Sequence, residues 1–274
     1  MDAPLAGAWS GNSADAWART LGVPRLEVHS VLASTNAYLR RTARGDAEEA
    51  PAFTVIVAEA QTEGRGREGR AWHSARGSGL WISILVPVDE PGHPGVLPLA
   101  VGVATALATE RVSGLSVSIK WPNDILVGDR KVAGILCEAV GDSGAFAAVG
   151  VGVNLRSPGD GFPAELTKSA GFLESLSGRP VQEPTLAAVL VEELKRWSIP
   201  TPRALDGALR REWDARDCLI GRRARVESGE VGVVAGVSSA GELALNLDGG
   251  AAVSIRSGSV RIEGGGGSPA LHGC

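Results

Sequence analysis

A glycine-rich loop carries the most concentrated set of side chains that could bind an anion. Three arginines, Arg65, Arg67 and Arg70, stand within six residues and are separated by glycines. Guanidinium groups bind phosphate and carboxylate through paired hydrogen bonds, and glycine lets the backbone approach a ligand closely. A solvated surface loop explains the same residues about equally well. Residues 64–79 therefore predict either a phosphate-binding lid or an ordinary exposed connection.

The same loop matches the glycine pattern of a dinucleotide-binding fingerprint. Residues 64–69 read Gly-x-Gly-x-x-Gly, and Asp89 follows about 20 residues later. That fingerprint requires a helix whose N-terminus faces the pyrophosphate. Residues 70–79 contain two glycines and two serines, and a strand is predicted from Leu80. The pattern therefore argues against an NAD-dependent oxidoreductase, and the loop lacks the Lys-Ser/Thr pair of a Walker A motif.

A second polar group surrounds two tight turns near the middle of the chain. Lys120 precedes Trp-Pro-Asn-Asp, which ends at Asp124, and Lys131 begins the next apolar run. The two lysines could bind phosphate oxygens, and Asp124 is the best candidate ligand for Mg²⁺. Turn formation alone explains Asn123 and Asp124. Lys131 is more informative, because a lysine at the head of a buried strand must find a partner or change its pKa.

Glycines also thin a later strand. Gly150 and Gly152 alternate along it and leave room for a flat ligand or another backbone. Asn154 ends this strand and could hydrogen-bond to a base edge, although a turn-forming asparagine is commoner. The four histidines and three cysteines show no metal-ligand spacing, and no Gly-x-Ser-x-Gly elbow is present. The sequence therefore argues against a zinc site and against a serine hydrolase.

Helices and strands must alternate to position these residues. Between residues 115 and 155 the pattern predicts three adjacent antiparallel strands joined by short turns. Ser13 and Ser34 are plausible N-caps. The predicted fold class is α+β, with a mixed, mainly antiparallel sheet and flanking helices. The other strands are predicted at residues 25–33, 53–59 and 80–88, and the helices at 13–21, 34–45, 96–112, 169–177, 184–197 and 202–217.

The chain divides into a large and a small part. Residues 1–217 are predicted to form one large domain with a short extension at 1–24, residues 218–263 a small β-barrel module, and residues 264–274 a flexible tail. At most one short helix is predicted before the first strand, which is too little for a helix-turn-helix domain. We therefore expect no DNA-binding domain.

Composition narrows the possible partners. The 274 residues carry a net charge of -4, which argues against broad nucleic-acid binding. No apolar stretch reaches the roughly 20 residues needed to cross a bilayer, and the first residues do not resemble a signal peptide. The three cysteines are far apart in sequence. We expect a reduced, cytoplasmic protein that binds neither DNA nor a membrane.

Taken together, five motifs in order resemble the biotin protein ligase (biotin–[acetyl-CoA-carboxylase] ligase) family, in its monofunctional form. The resemblance covers about residues 25–263. It implies a class II synthetase-like biotin/lipoate ligase catalytic domain and an SH3-like C-terminal barrel. The motifs are Ser-Thr-Asn at 34–36, Gln61 with the Gly-Arg-Gly-Arg loop up to Trp72, Lys-Trp-Pro-Asn-Asp at 120–124, Lys-Val-Ala-Gly-Ile-Leu at 131–136 and Gly-Val-Gly-Val-Asn at 150–154.

The resemblance implies a two-step reaction. Biotin and ATP, with Mg²⁺, give biotinyl-5′-adenylate and pyrophosphate, and a lysine of the biotin carboxyl carrier domain of an acyl-CoA carboxylase then accepts biotin. The catalytic residues implied are Lys131, Arg67 and Lys120. By the same resemblance biotin would contact Ser34, Thr35, Asn36, Gln61, Arg65, Gly66, Arg67, Lys131, Gly150 and Gly152, while ATP or the adenylate would contact Arg67, Arg70, Trp72, Lys120, Asn123 and Asn154.

The chain departs from this family pattern at Glu68, where some relatives carry a basic residue. Glu68 weakens the positive field of the loop. A lipoate–protein ligase would share the catalytic fold, although the Gly-Arg-Gly-Arg loop and the Lys-Trp-Pro-Asn-Asp motif favour biotin. A non-catalytic nucleotide-sensing module is the remaining alternative.

Overall fold

A seven-stranded sheet forms the centre of the molecule. The structure is a computed structural model that describes residues 8–43, 50–89, 96–159, 162–164 and 166–263. Apolar and β-branched residues dominate the central strands, as expected for strands buried on both faces. The strands of this sheet are β1 (Arg25–His29), β2 (Thr54–Ala58), β3 (Gly79–Pro87), β4 (Ser118–Lys120), β5 (Asp124–Val127), β6 (Arg130–Val140) and β7 (Phe146–Asn154).

The strand order is β1-β2-β3-β7-β6-β5-β4. Strands β1 and β2 are parallel, and the other neighbours are antiparallel. The predicted mixed, mainly antiparallel sheet is confirmed. Four consecutive strands, β4 to β7, are antiparallel neighbours instead of the predicted three. Lys120 pairs directly with Asp124, so the chain reverses within three residues and forms two short strands there.

The register of the central strands brings small residues side by side. Gly150 on β7 lies opposite Ser83 on β3. Gly152 on the same strand lies opposite Gly134 on β6. Since alternate residues of a strand share a face, Gly150 and Gly152 point to one face of the sheet. That face is therefore depressed where β3, β7 and β6 meet.

Helices cover the sheet and build the main core. The helices are α1 (Ala14–Leu21), α2 (Thr35–Thr42), α3 (Leu97–Ser113), α4 (Leu173–Ser177), α5 (Glu183–Ser198) and α6 (Gly207–Asp214). Helix α3 is apolar on most sides, mostly buried, and packs against α5 and the sheet, as expected of a helix inside a core. The Oγ atoms of Ser13 and Ser34 accept hydrogen bonds from the first turns of α1 and α2, as predicted.

A second, antiparallel sheet confirms the predicted C-terminal β module. Its strands are β8 (Arg223–Val226), β9 (Val231–Val237), β10 (Leu243–Leu247), β11 (Ala252–Ile255) and β12 (Val260–Ile262). Their order in the sheet is β11-β10-β9-β8-β12. The module contacts the larger part of the molecule, because Trp121 Nε1 donates a hydrogen bond to the Gly241 carbonyl at 3.0 Å. The domain boundary at residue 217 stays a prediction.

Several predicted elements are shorter in the structure. The helix predicted at 169–177 begins only at Leu173, because Lys131 N donates a hydrogen bond to the Ser169 carbonyl and Gly171 N donates one to the Lys131 carbonyl. These long-range bonds hold residues 169–171 beside β6. The helix predicted at 202–217 is confined to Gly207–Asp214, and the strand predicted at 25–33 ends at His29.

Two predictions lie outside the described residues: the C-terminal end of the helix near Gly45 and the tail at 264–274. Helix α2 is described as far as Thr42. Within the part of the chain that the structure describes, no helix has the length and apolar character that crossing a membrane would require.

Strand β1 carries a buried charged cluster. Glu27 is 7% exposed and accepts hydrogen bonds from Tyr38 Oη at 2.8 Å and from His29 Nε2 at 3.1 Å. Arg25 Nη2 lies 2.6 Å from its other carboxylate oxygen. The hydrogen bond from His29 is the largest cause that lowers the pKa of Glu27, to about 2. The carboxylate therefore stays ionised inside the fold.

Candidate active site

One cavity of about 360 Å³ brings all five sequence motifs together. Its volume is within the range of small-molecule sites. The segments that line the cavity are more than a hundred residues apart in sequence. They meet here because β3, β7 and β6 lie next to one another at the centre of the sheet. Every residue assigned to the site from the sequence lines this cavity: Ser34, Thr35, Asn36, Gln61, Arg65, Gly66, Arg67, Arg70, Trp72, Lys120, Asn123, Asp124, Lys131, Gly150, Gly152 and Asn154.

A hydrogen-bond network fixes the polar end of the cavity. Gln61 Oε1 accepts hydrogen bonds from the backbone N and the hydroxyl of Thr35, at 2.9 and 3.1 Å. Gln61 Nε2 donates to Ser74 Oγ at 2.8 Å. Ser83 Oγ lies 2.8 Å from Thr35 Oγ1 and donates to Asn36 Oδ1 at 2.7 Å. These bonds orient amide and hydroxyl groups that can offer donors and acceptors to a ligand.

Sequence reasoning missed Ser83 and Glu138, which support this network. Asn36 Nδ2 donates to Glu138 Oε2 at 2.9 Å and to the Leu136 carbonyl at 3.2 Å. Ser83 is fully buried inside the apolar strand β3. A lone serine in such a strand must find a hydrogen-bond partner, and that was the available signal.

The strand glycines make room for side chains of the protein itself. A Cβ added at Gly150 would lie 2.6 Å from Asn36 Oδ1. One added at Gly152 would lie 2.5 Å from Trp72 Nε1, and one at Gly134 would lie 2.8 Å from the Trp72 ring. The sequence predicted space for a flat ligand or another backbone. In the structure that space holds the carboxamide of Asn36 and the indole of Trp72.

Lys131 lies between a carboxylate and an aromatic ring. Its Nζ is 2.5 Å from Asp124 Oδ1 and 5.0 Å from the centroid of the Trp72 ring. The expectation that a lysine heading this strand needs a partner is confirmed. Asn123 Nδ2 donates to the Ile135 carbonyl at 2.7 Å and fixes the turn against β6. Asn154 Nδ2 donates to the Lys131 carbonyl at 3.4 Å.

The glycine-rich loop folds as a small hairpin over this cluster. Trp72 N donates to the Gly64 carbonyl at 2.8 Å, and Gly66 N donates to the Arg70 carbonyl at 2.7 Å. Only a 3₁₀ turn, Arg67–Gly69, forms at the tip. Strand β3 begins at Gly79 and runs antiparallel to β2. The loop therefore has no crossover helix, and the prediction that its Gly-x-Gly-x-x-Gly pattern is not a dinucleotide fingerprint is confirmed.

The cations of the site differ in their partners. Arg65 Nη2 lies 3.4 Å from Glu63, and Arg70 Nη2 lies 2.6 Å from Glu68. Arg67 forms no ion pair within the described ranges. A cation without a carboxylate partner in a cavity is available to an anionic ligand.

Two walls of the cavity are formed by residues that the sequence did not assign to the site. His73 packs edge-to-face on Phe162 with ring centroids 5.4 Å apart, and both residues line the cavity. Gly258, Ser259, Val260 and Arg261 of the C-terminal module complete another wall. No sequence signal connects these residues to the loop, because only the three-dimensional packing of the module brings them there.

Among the residues assigned to the site from the sequence, only Asp124 has a carboxylate that could bind Mg²⁺. The described part of the chain contains no group of three His, Cys, Asp or Glu residues suited to a metal. The nearer oxygen of Asp124 is bound to Lys131. Mg²⁺ commonly enters on substrate phosphates with only one or two carboxylates from the protein. These residues fit an ion delivered with a nucleotide and do not form a separate metal cage.

Comparison with known proteins identifies a family for this arrangement. Residues 28–155 match the model of the biotin/lipoate A/B protein ligase family. The biotin--[acetyl-CoA-carboxylase] ligase of Mycobacterium tuberculosis is 32% identical over 252 residues, which cover 87% of this chain and 89% of that protein. The bifunctional ligase/repressor BirA of Escherichia coli is 30% identical, over 83% of this chain and 73% of its own length.

Other relatives are matched over a smaller part. BirA of Bacillus spizizenii is 38% identical over 154 residues, which span 46% of that protein, and BirA of Bacillus subtilis is matched over 47% of its length. This chain therefore spans about half of the Bacillus relatives. Among solved structures, biotin protein ligase from Aquifex aeolicus in complex with biotin and ATP superposes with a TM-score of 0.70 at 25% identity, covering 87% of this chain and 98% of that one.

Proposed function

This chain belongs to the biotin/lipoate A/B protein ligase family, and we propose that it is an ATP-dependent biotin–protein ligase. It would activate biotin as biotinyl-5′-adenylate and then transfer biotin to a lysine of a biotin carboxyl carrier domain. The observation that carries the proposal is that all the side chains assigned from five separate motifs line one cavity. A structural neighbour described with biotin and ATP supports the choice of substrates.

The first step joins two anions, so the site must supply positive charge. An oxygen of the biotin carboxylate attacks the α-phosphorus, the bond from that phosphorus to the β-bridging oxygen breaks, and pyrophosphate leaves. Negative charge builds on the phosphoryl oxygens, and fixed cations stabilise it more than water does. Arg67, Lys120 and Lys131 line the cavity and are the cations to which we assign this role.

In the second step the acyl group moves to an amine. The ε-amine of the carrier lysine attacks the acyl carbon, the carbon–oxygen bond of the mixed anhydride breaks, AMP leaves and the amine loses a proton. No nucleophile from this chain is needed. The ligase must therefore hold the adenylate and exclude water until the carrier arrives.

The polar network suits the ureido head group of biotin. That group carries one carbonyl acceptor and two N–H donors. Gln61 and Thr35 are hydrogen-bonded to each other, and Asn36 is held by Ser83 and Glu138, so the orientation of all three is fixed before a ligand enters. Preorganised donors and acceptors lower the cost of binding. This geometry supports placing the head group at this end of the cavity.

Lys131 is the residue to which we assign contact with the biotin carboxylate and the α-phosphate. Asp124 holds its ammonium group at 2.5 Å and Trp72 covers it. Asp124 would therefore have a positioning role, and it is also the carboxylate that we assign as a ligand for Mg²⁺. Mg²⁺ bound with ATP would neutralise phosphate charge. Closure of the loop at 64–72 would shield the adenylate from water.

Biotin-dependent release of pyrophosphate from MgATP tests the proposal directly. Purified protein is expected to release pyrophosphate when biotin is added and to give an avidin-detectable label on the lysine of a carrier domain. Lipoate replaces biotin in a parallel reaction. Pyrophosphate release with lipoate and none with biotin would assign the chain to the other branch of the family. No release with either acid would overturn the ligase proposal.

A further inference from the structure

Glu68 is an acidic side chain at the tip of a basic loop. Its backbone is left-handed, with φ 58° and ψ 28°, and Gly69 after it has φ 72°. A left-handed conformation is uncommon for a residue with a side chain. The two consecutive left-handed residues turn the chain back on itself. As a result Arg70 Nη2 lies 2.6 Å from Glu68 Oε2.

This pair distinguishes Arg70 from the other arginines of the loop. The contact of Arg65 with Glu63 is longer, at 3.4 Å, and Arg67 has no ion pair within the ranges that the structure covers. The charge of Arg70 is therefore the one most neutralised by a neighbour. Both partners remain accessible, since the side chain of Arg70 is 61% exposed and that of Glu68 is 34% exposed.

We propose that Glu68 competes with nucleotide phosphate for Arg70 and thereby weakens the affinity of the site for both ATP and pyrophosphate. The inference rests on the proposed function, which assigns Arg70 to the phosphates of ATP. A carboxylate and a phosphate use the same bidentate edge of a guanidinium group. A phosphate must therefore displace Glu68 before it binds Arg70.

The ion pair between Glu68 and Arg70 is weak enough for the phosphates of ATP to displace Glu68. Exposed ion pairs contribute little to stability because water and salt screen them. Exchange of Glu68 for phosphate requires no unfolding of the loop. The same exchange runs backwards after the first step, so Glu68 would help pyrophosphate to leave. Glu68 touches Arg70 and not the polar end of the cavity, so its removal should leave biotin binding unchanged.

The experiment compares wild type with Glu68→Gln, which keeps the size of the side chain and removes its charge. The KM for ATP and the inhibition constant for pyrophosphate are both expected to fall about two- to fivefold, as expected for an exposed ion pair. The KM for biotin should not change. Because the pair is screened by salt, the difference should shrink as ionic strength rises.

Glu192→Gln is the matched control. Glu192 is an exposed residue of α5 whose carboxylate lies 2.9 Å from Arg111, and it does not line the cavity. This control changes the net charge by the same amount. Its KM for ATP should equal that of wild type. In an Arg70→Gln background, Glu68→Gln should have no further effect, because the two residues act as one pair.

An unchanged or raised KM for ATP in Glu68→Gln would overturn the inference, as would an equal fall in Glu192→Gln or an effect that persists without Arg70. Titration with inorganic pyrophosphate alone tests the same competition in protein that does not ligate biotin. The two proposals can therefore fail separately. The ligase proposal fails if wild type does not ligate biotin, whereas the competition fails if the variants bind ATP and pyrophosphate as wild type does.

Discussion

Among the residues of the cavity, Lys131 has the surroundings that most specifically indicate a role in the reaction. Its ammonium group is held by Asp124 and covered by Trp72, and it lies where the cavity meets the head of β6. A lysine ammonium group at the edge of an apolar strand needs a partner of opposite charge, and the carboxylate of Asp124 provides it. The sequence alone predicted that Lys131 needs a partner. It could not identify Asp124 as that partner.

Lys131→Ala should lower kcat/KM for biotin-dependent pyrophosphate release by about 100-fold or more, the usual effect of removing one electrostatic contact to a transition state. The control is Lys168→Ala, because Lys168 is exposed and does not line the cavity. Single-turnover kinetics measure both variants. Equal losses in the two variants would remove Lys131 from the assigned role.

At the scale of elements, the glycines of β6 and β7 set the shape of the cavity. Gly152 lies directly beneath Trp72, and an added Cβ would come within 2.5 Å of the indole nitrogen. Real Cβ atoms do not approach so closely, so the ring must move. Since Trp72 also covers Lys131, a displacement of the ring by a change on β7 would alter the surroundings of Lys131.

Gly152→Ala is therefore expected to displace Trp72, to reduce pyrophosphate release at least tenfold and to lower the free energy of unfolding by about 1–3 kcal/mol through overpacking. Gly159→Ala is the control, because no atom lies within 4 Å of a Cβ added there. Urea unfolding and the adenylation assay measure the two effects. Full activity in Gly152→Ala would mean that the position of Trp72 does not matter.

Local sequence patterns predicted most elements but not those set by distant pairing. The N-caps Ser13 and Ser34, the apolar helix α3 and the central strands β3, β6 and β7 depend on residues close in sequence, and their prediction is confirmed. Residues 169–171 carry a helical pattern yet lie beside β6, because the Ser169 carbonyl and the Gly171 amide form hydrogen bonds with the backbone of Lys131. Likewise, the sequence predicted that the glycines thin β7 but not that Trp72 and Asn36 use the space.

The buried carboxylate of Glu27 on strand β1 should make the stability of the fold depend on pH. The pKa of Glu27 is lowered from 4.5 to about 2, chiefly by its hydrogen bond from His29. The ionised carboxylate therefore stabilises the fold above pH 4.5, and this contribution is lost as pH falls toward 2. A shift of this size corresponds to about 3 kcal/mol.

Glu27→Gln should abolish most of that acid dependence. Urea unfolding at pH 7, 4 and 2.5 measures it, with Glu192→Gln as the exposed control. Wild type should lose about 3 kcal/mol relative to Glu27→Gln across this interval. Parallel pH profiles for wild type and Glu27→Gln would show that the cluster on β1 does not control acid stability.

At the scale of the whole molecule, the C-terminal module forms part of the cavity wall. Trp121, inside the Lys-Trp-Pro-Asn-Asp motif, is 2% exposed and donates to the Gly241 carbonyl. Arg210 Nη1 donates to the Val237 carbonyl at 2.6 Å. These contacts hold the module against the larger domain, and Ser259 and Arg261 of the module line the cavity. The module is thus positioned to complete the site as well as to stabilise the fold.

Arg261 gives a test of that arrangement. It forms no ion pair with a described carboxylate, and it lines the cavity without taking part in the hydrogen-bond network around Gln61. Arg261→Gln should therefore raise the KM for ATP about three- to tenfold, as expected for a partly exposed charge-assisted contact, and leave the KM for biotin unchanged.

Arg256→Gln is the control for Arg261→Gln, because Arg256 is exposed on the same module and pairs with Glu242 at 2.8 Å. Steady-state kinetics with each substrate varied in turn separate the two constants. A rise in the KM for biotin instead of ATP would place the nucleotide elsewhere. An effect of equal size in Arg256→Gln would mean that the module acts through its overall charge, and not through the side chain of Arg261 in the cavity.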